Sequence, residues 1–131
     1  MNDNFKFEIV SPDKVIFSGD TTMVTLPSYE GDMSILKNHV STITFLRPGK
    51  IKVKKNDENI ADFFVEDGIV EYFDNSLVVL SVSAINLKNL SKEFLDNLSK
   101  DTQDKLVQKD ISDHERYMLN HKLDALKEIR V

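Results

Sequence analysis

The sequence predicts an α+β fold, in which an N-terminal antiparallel β-sandwich is followed by a C-terminal two-helix antiparallel hairpin. Up to residue 86, short apolar stretches of strand length are separated by brief turns rich in glycine, proline, aspartate and asparagine. Beyond residue 86, the spacing of apolar residues lengthens to that of a helix, and a polar link, QKDIS, divides this part in two. We therefore predict two domains, residues 1–86 and residues 87–131.

Nine segments of the first domain have the length and composition of β-strands: FKFEIV, KVIFSG, TTMVTL, DMSIL, STITFL, KIKVKK, ADFFV, GIVEYF and SLVVLSV. In the first of them, Phe5, Phe7 and Ile9 alternate with Lys6 and Glu8, so the strand has one buried and one solvated face. The connections are too short for the crossovers that parallel strands need. We therefore expect antiparallel pairing and two packed sheets.

The second domain is predicted to form two helices. Either Asn89 or Ser91 is placed to cap the first helix, and Ser112-Asp-His-Glu115 has the spacing of a capping box at the start of the second. Each helix has an apolar stripe with spacings of three and four residues: Leu87, Leu90, Phe94 and Leu98 on the first, and Leu119, Leu123, Leu126 and Ile129 on the second. Lys127 and Arg130 lie in the last turn, where cations suit the helix dipole.

Charge and composition exclude several functional classes. The net charge is −5, and the first domain has 8 Lys or Arg residues against 13 Asp or Glu residues. The cationic segment KIKVKK alternates as one solvated strand face, so we expect no nucleic-acid partner. The absence of cysteine excludes disulfides and thiolate metal sites. The N-terminus does not resemble a signal peptide and no apolar stretch approaches the roughly 20 residues of a membrane span, so we expect membrane contact only through a partner.

The sequence contains no recognisable catalytic site. The phosphate-binding patterns GxxxxGK[ST] and GxGxxG and the nucleophile pattern GxSxG are absent. His39 stands alone in the strand-rich part, and His114 and His121 are too far apart on one helix to chelate a metal ion without a third ligand. We interpret both helix histidines as solvated, and Glu66-Asp67-Gly68 as a hairpin turn rather than a catalytic pair. No catalytic residue, cofactor or metal is predicted.

Several stretches, taken in order, resemble one known family. They are FxxxIVSPDKVIFSGD, EGDMSILKNHVSTITFLRPGKIKV, FFVEDGIVEYFDNSLVVLSVSA and the two-helix tail. The residues at the family's relative spacing are Phe17-Ser18-Gly19, Glu30-Gly31, His39, Pro48-Gly49 and Gly68. The whole chain thus resembles the epsilon subunit of the bacterial F-type ATP synthase.

The resemblance implies a non-catalytic central-stalk subunit that couples proton flow through the membrane ring to ATP synthesis. Its partners would be the gamma subunit, the c-ring and the catalytic beta subunits, at the cytoplasmic face of the bacterial inner membrane. The hairpin of this family can also inhibit ATP hydrolysis. An enzyme would need a clustered site, and a free-standing sandwich that binds a ligand or protein would need a pocket or aromatic platform. The phenylalanines follow strand periodicity for the most part, which argues against that second alternative.

The segment YEGDMSILKNHV resembles the family's turn at the foot of the sandwich. By this resemblance, the acidic side chains meet ring loops and the apolar ones add contact area, which makes the partner interface Glu30, Gly31, Asp32, Met33, Ile35, Leu36 and His39. Alternatively, the apolar residues are strand core and the acidic ones form a solvated turn. The family usually has glycine at Ser34 and a His-x-Pro run where this chain has His39-Val40-Ser41.

Two features of the hairpin bear on regulation. Some bacterial relatives bind ATP through a motif like [IL]DxxRA, but here Ser91 replaces the acid and Phe94 the arginine, so we expect no ATP on the hairpin. From Asp113 onward the second helix has four basic and four acidic residues, so its apolar stripe has to supply most of the binding energy. The predicted regulatory residues are Leu119, Leu123, Leu126, Lys127, Ile129 and Arg130.

Overall fold

The computed structural model describes residues 3–129, which form ten β-strands followed by a 3₁₀ turn and two α-helices. The strands are β1 (Phe5–Val10), β2 (Val15–Thr21), β3 (Met23–Ser28), β4 (Gly31–Leu36), β5 (Thr42–Leu46), β6 (Gly49–Lys55), β7 (Glu58–Val65), β8 (Gly68–Phe73), β9 (Ser76–Leu80) and β10 (Ile85–Asn86). The 3₁₀ turn is Leu87–Asn89, and the helices are α1 (Lys92–Leu106) and α2 (Asp113–Ile129). The predicted sequence of strands and helices is confirmed, with β10 as an addition.

The strands form one continuous sheet that folds over into two packed layers, with the order β10-β7-β6-β3-β5-β8-β9-β1-β2 and with β4 paired to β3. Every pairing among these strands is antiparallel except that of β1 with β9. Although β1 and β9 are neighbours in the sheet, most of the other strands lie between them in the chain. No short connection therefore constrains their relative direction. The antiparallel expectation therefore holds for strands that are joined by short turns.

The core between the layers contains the apolar residues that alternate along the strands. Phe5, Phe7 and Ile9 are buried as predicted. The ring of Phe17, on β2, lies 5.6 Å from that of Phe7 and 5.6 Å from that of Phe63 on β7, so aromatic contacts join the two layers. This core holds the sandwich together without any contribution from the hairpin.

The turn chemistry is confirmed at two hairpins and wrong at a third site. Asn56-Asp57 and Asp74-Asn75 all have positive φ, as tight hairpin turns require. However, β7 pairs with β6 and β10 while β8 pairs with β5 and β9, so Glu66-Asp67-Gly68 crosses between the layers and is no hairpin turn. The Ser83 hydroxyl accepts the backbone N–H of Glu66 at 2.9 Å, which gives this crossing a side-chain anchor.

Both predicted helix caps are present. The Ser91 hydroxyl accepts the backbone N–H of Phe94 at 3.0 Å. At the start of α2, the Ser112 hydroxyl accepts the N–H of Glu115 at 3.1 Å, and the Glu115 carboxylate accepts the N–H of Ser112 at 3.5 Å, so the capping box is confirmed.

The predicted apolar stripe of the first helix is partly wrong. Leu87 and Leu90 precede α1, which begins at Lys92 after the Ser91 cap. Phe94 is 43% exposed, and Leu95 is the buried residue of the first turn. Leu87, Leu90 and Leu98 do pack around the contact with the sandwich, so only Phe94 departs from the predicted stripe, and Leu95 is buried in its place.

The hairpin is folded down against the sandwich through a second, smaller core. Phe64 of β7 packs there with Leu95, Ala125 and Leu126. The flanking residues Leu87, Leu90, Leu98 and Ile129 are partly buried around this cluster. Among the predicted regulatory residues, Leu126 is fully buried, Leu119, Leu123 and Ile129 are half-buried, Lys127 is exposed, and Arg130 lies outside the described residues.

Candidate functional site

Residues 29–40, the segment that resembles the family's turn, do not form one turn, and the strand predicted at DMSIL is confirmed as β4. Tyr29 and Glu30 form a tight turn, residues 31–36 form β4, and a second turn follows at residues 37–38. The spacing of residues along a strand separates the two ends of β4 by about 16 Å. The side chains predicted to share one interface therefore lie at two ends of the sandwich, because a strand and not a loop connects them.

At the first end, the Tyr29-Glu30 turn is closed by local contacts. Gly31 has a φ of 122°, a conformation that side chains rarely adopt. The Ser28 hydroxyl donates to the carbonyl oxygen of Gly31 at 2.6 Å. Asp32 accepts a hydrogen bond from the guanidinium of Arg47 at 3.0 Å, so its charge is balanced within the chain. Glu30 is exposed at the tip.

At the other end of β4, Leu36 is exposed, and His39, in the connection to β5, is half-buried. The His39 ring lies edge-on to Tyr72 at 5.6 Å, and the Tyr72 hydroxyl donates to the side-chain oxygen of Asn75 at 2.8 Å. Along β4 itself, Met33 is packed against the core and Ile35 is fully buried. For Ile35 the alternative interpretation as strand core is correct.

The outer surface of strands β5, β8 and β9 is apolar, which the sequence interpretation missed. We call it the outer apolar face and define it as Ile43, Phe45, Ile69, Phe73 and Leu80, all of them exposed. Phe45, Ile69 and Leu80 are cross-strand partners, so they form a row across the sheet. Phe45 and Phe73 follow strand periodicity as predicted, but they are 55% and 63% exposed, so they lie on the outer side of the sheet and not in the core.

A sequence signal for this face did exist. In TITFL and GIVEYF, apolar residues occupy both alternating registers, so each strand has an apolar residue on both of its faces. Only one register can point into the core of a two-layer sandwich. A strand that is apolar on both faces therefore indicates an outward surface that another molecule covers.

A groove adjoins the outer apolar face and connects it to the Glu30 turn. Its volume is about 630 Å³, and its walls include Phe45, Ile69, Leu80, Val82 and Tyr29. Because Tyr29 directly precedes Glu30, the apolar surface and the acidic turn are continuous along this side of the sandwich.

The junction between α2 and the sandwich contains both helix histidines. His114 is exposed, with its ring 6.3 Å from that of Tyr29, whereas His121 is half-buried beside Tyr117. Burial and the nearby Arg47 guanidinium lower the pKa of His121 from 6.5, and the carboxylate of Asp124 partly opposes this. The interpretation of the helix histidines as solvated is therefore correct for His114, whereas His121 is partly covered where α2 docks on the sandwich.

Residues 3–129 contain no group of three or more histidine or carboxylate side chains arranged to hold a metal ion. Neither helix in the described part of the chain is long and apolar enough to cross a membrane.

Comparisons with known proteins agree on one family. Residues 4–87 match the family described as ATP synthase, Delta/Epsilon chain, beta-sandwich domain. The ATP synthase epsilon chain of Pelagibacter ubique is 42% identical over 97% of this chain and 98% of its own length. The ATP synthase epsilon chain of Parvibaculum lavamentivorans is 34% identical over 99% of this chain and 98% of its own length.

Solved structures share the fold. A chain in the Euglena gracilis mitochondrial ATP synthase structure, described as OSCP/F1/c-ring, has a TM-score of 0.75 and 17% identity, with 99% of this chain and 81% of that chain covered. A chain in the Tetrahymena thermophila mitochondrial ATP synthase structure, described as central stalk/c-ring, has a TM-score of 0.67 and 15% identity, with 96% of both chains covered.

Proposed function

The chain belongs to the family of ATP synthase epsilon chains, and on that premise we propose that it is a non-catalytic subunit of the central stalk. In this role it docks the gamma subunit onto the membrane c-ring, so that rotation of the ring reaches the catalytic head. The observation that most directly supports a docking role is the outer apolar face, because an exposed apolar surface of this kind is typical of a permanent interface.

We assign the gamma contact to the outer apolar face. Phe45, Ile69 and Leu80 lie side by side in the sheet and offer a flat surface for a partner helix or strand. Glu71 is exposed and lies on the same strand between Ile69 and Phe73. A matching surface on gamma therefore has to be apolar, with a basic group opposite Glu71, because an unpaired buried carboxylate is costly.

We assign the c-ring contact to Glu30, Gly31 and Asp32. The groove that links their turn to the outer apolar face supports one continuous surface for gamma and the ring. Glu30 supplies the free charge, since Asp32 is already paired with Arg47. Ile35 is not part of this contact, because its side chain is buried. Met33 offers little contact area, because its side chain packs against the core.

The remaining predicted interface residues, Leu36 and His39, are too far from the Glu30 turn to share its partner. Leu36 and His39 lie at the far end of β4, about 16 Å from the Glu30 turn. Leu36 is exposed there and offers an apolar contact, whereas His39 supports the local fold by packing on Tyr72. We infer that any partner of Leu36 is distinct from the ring loops that meet Glu30.

We propose that the protein works at the cytoplasmic face of the bacterial inner membrane, as a peripheral subunit that reaches the membrane through the c-ring. The rival proposal is a free-standing sandwich that binds a ligand in the groove beside the outer apolar face. Purification from cells through a tag on this chain distinguishes them. Recovery with gamma and catalytic-head subunits supports the stalk role, and recovery alone with a small ligand overturns it.

The hairpin is proposed to regulate ATP hydrolysis by leaving the sandwich and pressing α2 against the catalytic beta subunits. We expect deletion of residues 87–131 from the assembled enzyme to leave synthesis coupled and to raise hydrolysis only modestly, with little salt dependence. The reason is that α2 has balanced charges, and exposed ion pairs contribute at most about 1 kcal/mol each. Hydrolysis assays at low and high salt on both enzymes provide the measurement.

A large increase in hydrolysis that disappears at high salt would contradict this expectation. It would show that Lys127 and Arg130, at the end of the helix, dominate the interaction. Replacing both by glutamine in the full-length chain is the matched control, because it removes the two charges and leaves the apolar stripe intact.

We expect the hairpin to show no ATP binding in the micromolar range by calorimetric titration. At the position of the motif's acid, the Ser91 hydroxyl caps α1, and at the position of its arginine Phe94 has no guanidinium to bind phosphate. The double variant Ser91→Asp and Phe94→Arg restores both groups and keeps a good capping residue, so it is the matched comparison. A micromolar isotherm for the unmodified chain would refute the expectation.

A further inference from the structure

We propose that the junction between α2 and the sandwich is a pH-sensitive clasp that releases the hairpin in acidic medium. The clasp consists of Tyr29 and Arg47 on the sandwich and Tyr117 and His121 on α2. The inference concerns movement within this chain, so it does not depend on the partners proposed above.

Aromatic contacts bring the clasp residues together. The ring of Tyr29, in the turn between β3 and β4, is stacked on that of Tyr117 at 5.9 Å and 14°. The edge of Tyr117 then meets the ring of His121 at 4.4 Å. The Tyr117 hydroxyl also donates to the backbone oxygen of Tyr29 at 3.4 Å, so a hydrogen bond joins α2 to the sandwich beside the stacked rings.

His121 occupies the boundary of a cavity of about 270 Å³ between α2 and the sandwich. Among residues 3–129, the charged groups around this cavity are Arg47 before β6, Lys50 and Lys52 on β6, Asp32 on β4, and Asp124 and Glu128 on α2. The three basic groups belong to the sandwich, whereas two of the three acidic groups belong to the helix itself. Release of α2 therefore takes His121 away from the cations and leaves its helical acids beside it.

The direction of the pH effect follows from this arrangement. In the docked state, burial and then the charge of Arg47 lower the pKa of His121 from 6.5, so the neutral ring is favoured. The docked state then binds fewer protons than the released state, which regains the ordinary pKa. Docking is therefore strongest above pH 6.5 and weakens as the pH falls through 6.5 towards the lowered value.

Two further contacts lie at the junction. Lys122 of α2 forms an ion pair with Glu66, the residue after β7. His114 of α2 is exposed and has its ring 6.3 Å from that of Tyr29. None of these three side chains lines the cavity beside His121.

The test uses the full chain, which contains no cysteine and so accepts two labels without further changes. Spin labels at Glu58→Cys on the sandwich and Asn120→Cys on α2 report their separation, since both residues are exposed. Between about pH 8 and about pH 5, the range in which histidine titrates, we expect a second, released population to increase several-fold. An unchanged distance distribution over this range overturns the proposal.

Two variants identify the group responsible. His121→Phe keeps a ring against Tyr117 but has no titrating nitrogen, so we expect it to stay docked at both pH values. The native His39 ring contacts Tyr72 and belongs to no part of the clasp, so the variant His39→Phe should respond to pH as the original chain does. An undiminished pH response in His121→Phe would refute the clasp.

A measurement on the unmodified chain tests the proposal even if the variants do not fold. The ring protons of His121 can be followed by NMR as the pH is changed. A titration midpoint below 6.5 is expected for the docked hairpin, and a midpoint at or above 6.5 overturns the proposal.

Discussion

Replacing Phe45 and Ile69 together by aspartate is expected to lower the affinity for the gamma subunit by at least about a hundredfold, while the sandwich stays folded. Both side chains are exposed cross-strand partners in the middle of the outer apolar face, so the core loses nothing. The two new carboxylates would lie on the same surface as Glu71. Binding of gamma would then bury three acidic groups, and each one without a basic partner on gamma weakens binding. Calorimetric titration of each chain with gamma measures the loss.

A matched variant shows whether the loss of affinity depends on where the two aspartates are placed or only on their added charge. Phe94→Asp with Val107→Asp also replaces two exposed apolar residues by aspartate, but on the hairpin and its link. We expect this variant to bind gamma as the original chain does. Equal losses for the two double variants would show that added negative charge alone weakens binding, and an unchanged affinity for the first would remove the outer apolar face from the gamma contact. Circular dichroism confirms that each variant is folded.

Replacing Leu126 by alanine is expected to destabilise docking of the hairpin by about 2–5 kcal/mol, the usual cost of such a cavity. Leu126 is fully buried and joins α2 to Phe64 of the sandwich and Leu95 of α1. Because the main core lies elsewhere, the loss should appear in the hairpin first. Hydrogen exchange resolved along the chain should show lower protection in α1 and α2 and unchanged protection in the sandwich strands.

Leu119→Ala is the control for this substitution, since Leu119 is only half-buried on the same helix and lies outside the second core. Its effect should be clearly smaller than that of Leu126→Ala. Equal loss of protection in the strands and helices of Leu126→Ala would mean that the chain unfolds as one unit, which would contradict the predicted division at residue 86. Unchanged protection of the helices would show that another contact holds the hairpin down.

The features that the sequence predicted correctly depend on residues close together in the chain. Alternation of Phe5, Phe7 and Ile9 sets the two faces of a strand, because successive side chains point in opposite directions. The capping box at Ser112 and Glu115 is formed within four residues, and so are the turns at Asp74 and Asn75. Hydrophobic period, caps and turn residues were therefore enough to predict nine of the ten described strands, the two helices and their order.

What the sequence alone left open depends on which elements pack against each other. The direction of β1 beside β9 and the layer crossing at Gly68 follow from pairings between strands that are not consecutive in the chain, namely β1 with β9, β7 with β10 and β5 with β8. Phe45 alternates as a core residue does, yet the sheet has only one inner side, and its partners in register decide that this ring faces outward. His121 shows the same limit, because only the docking of α2 partly buries it and brings it near Arg47 of the sandwich. Residue type and spacing determine which side chains share a face, but the contacts that cover that face exist only in the tertiary structure.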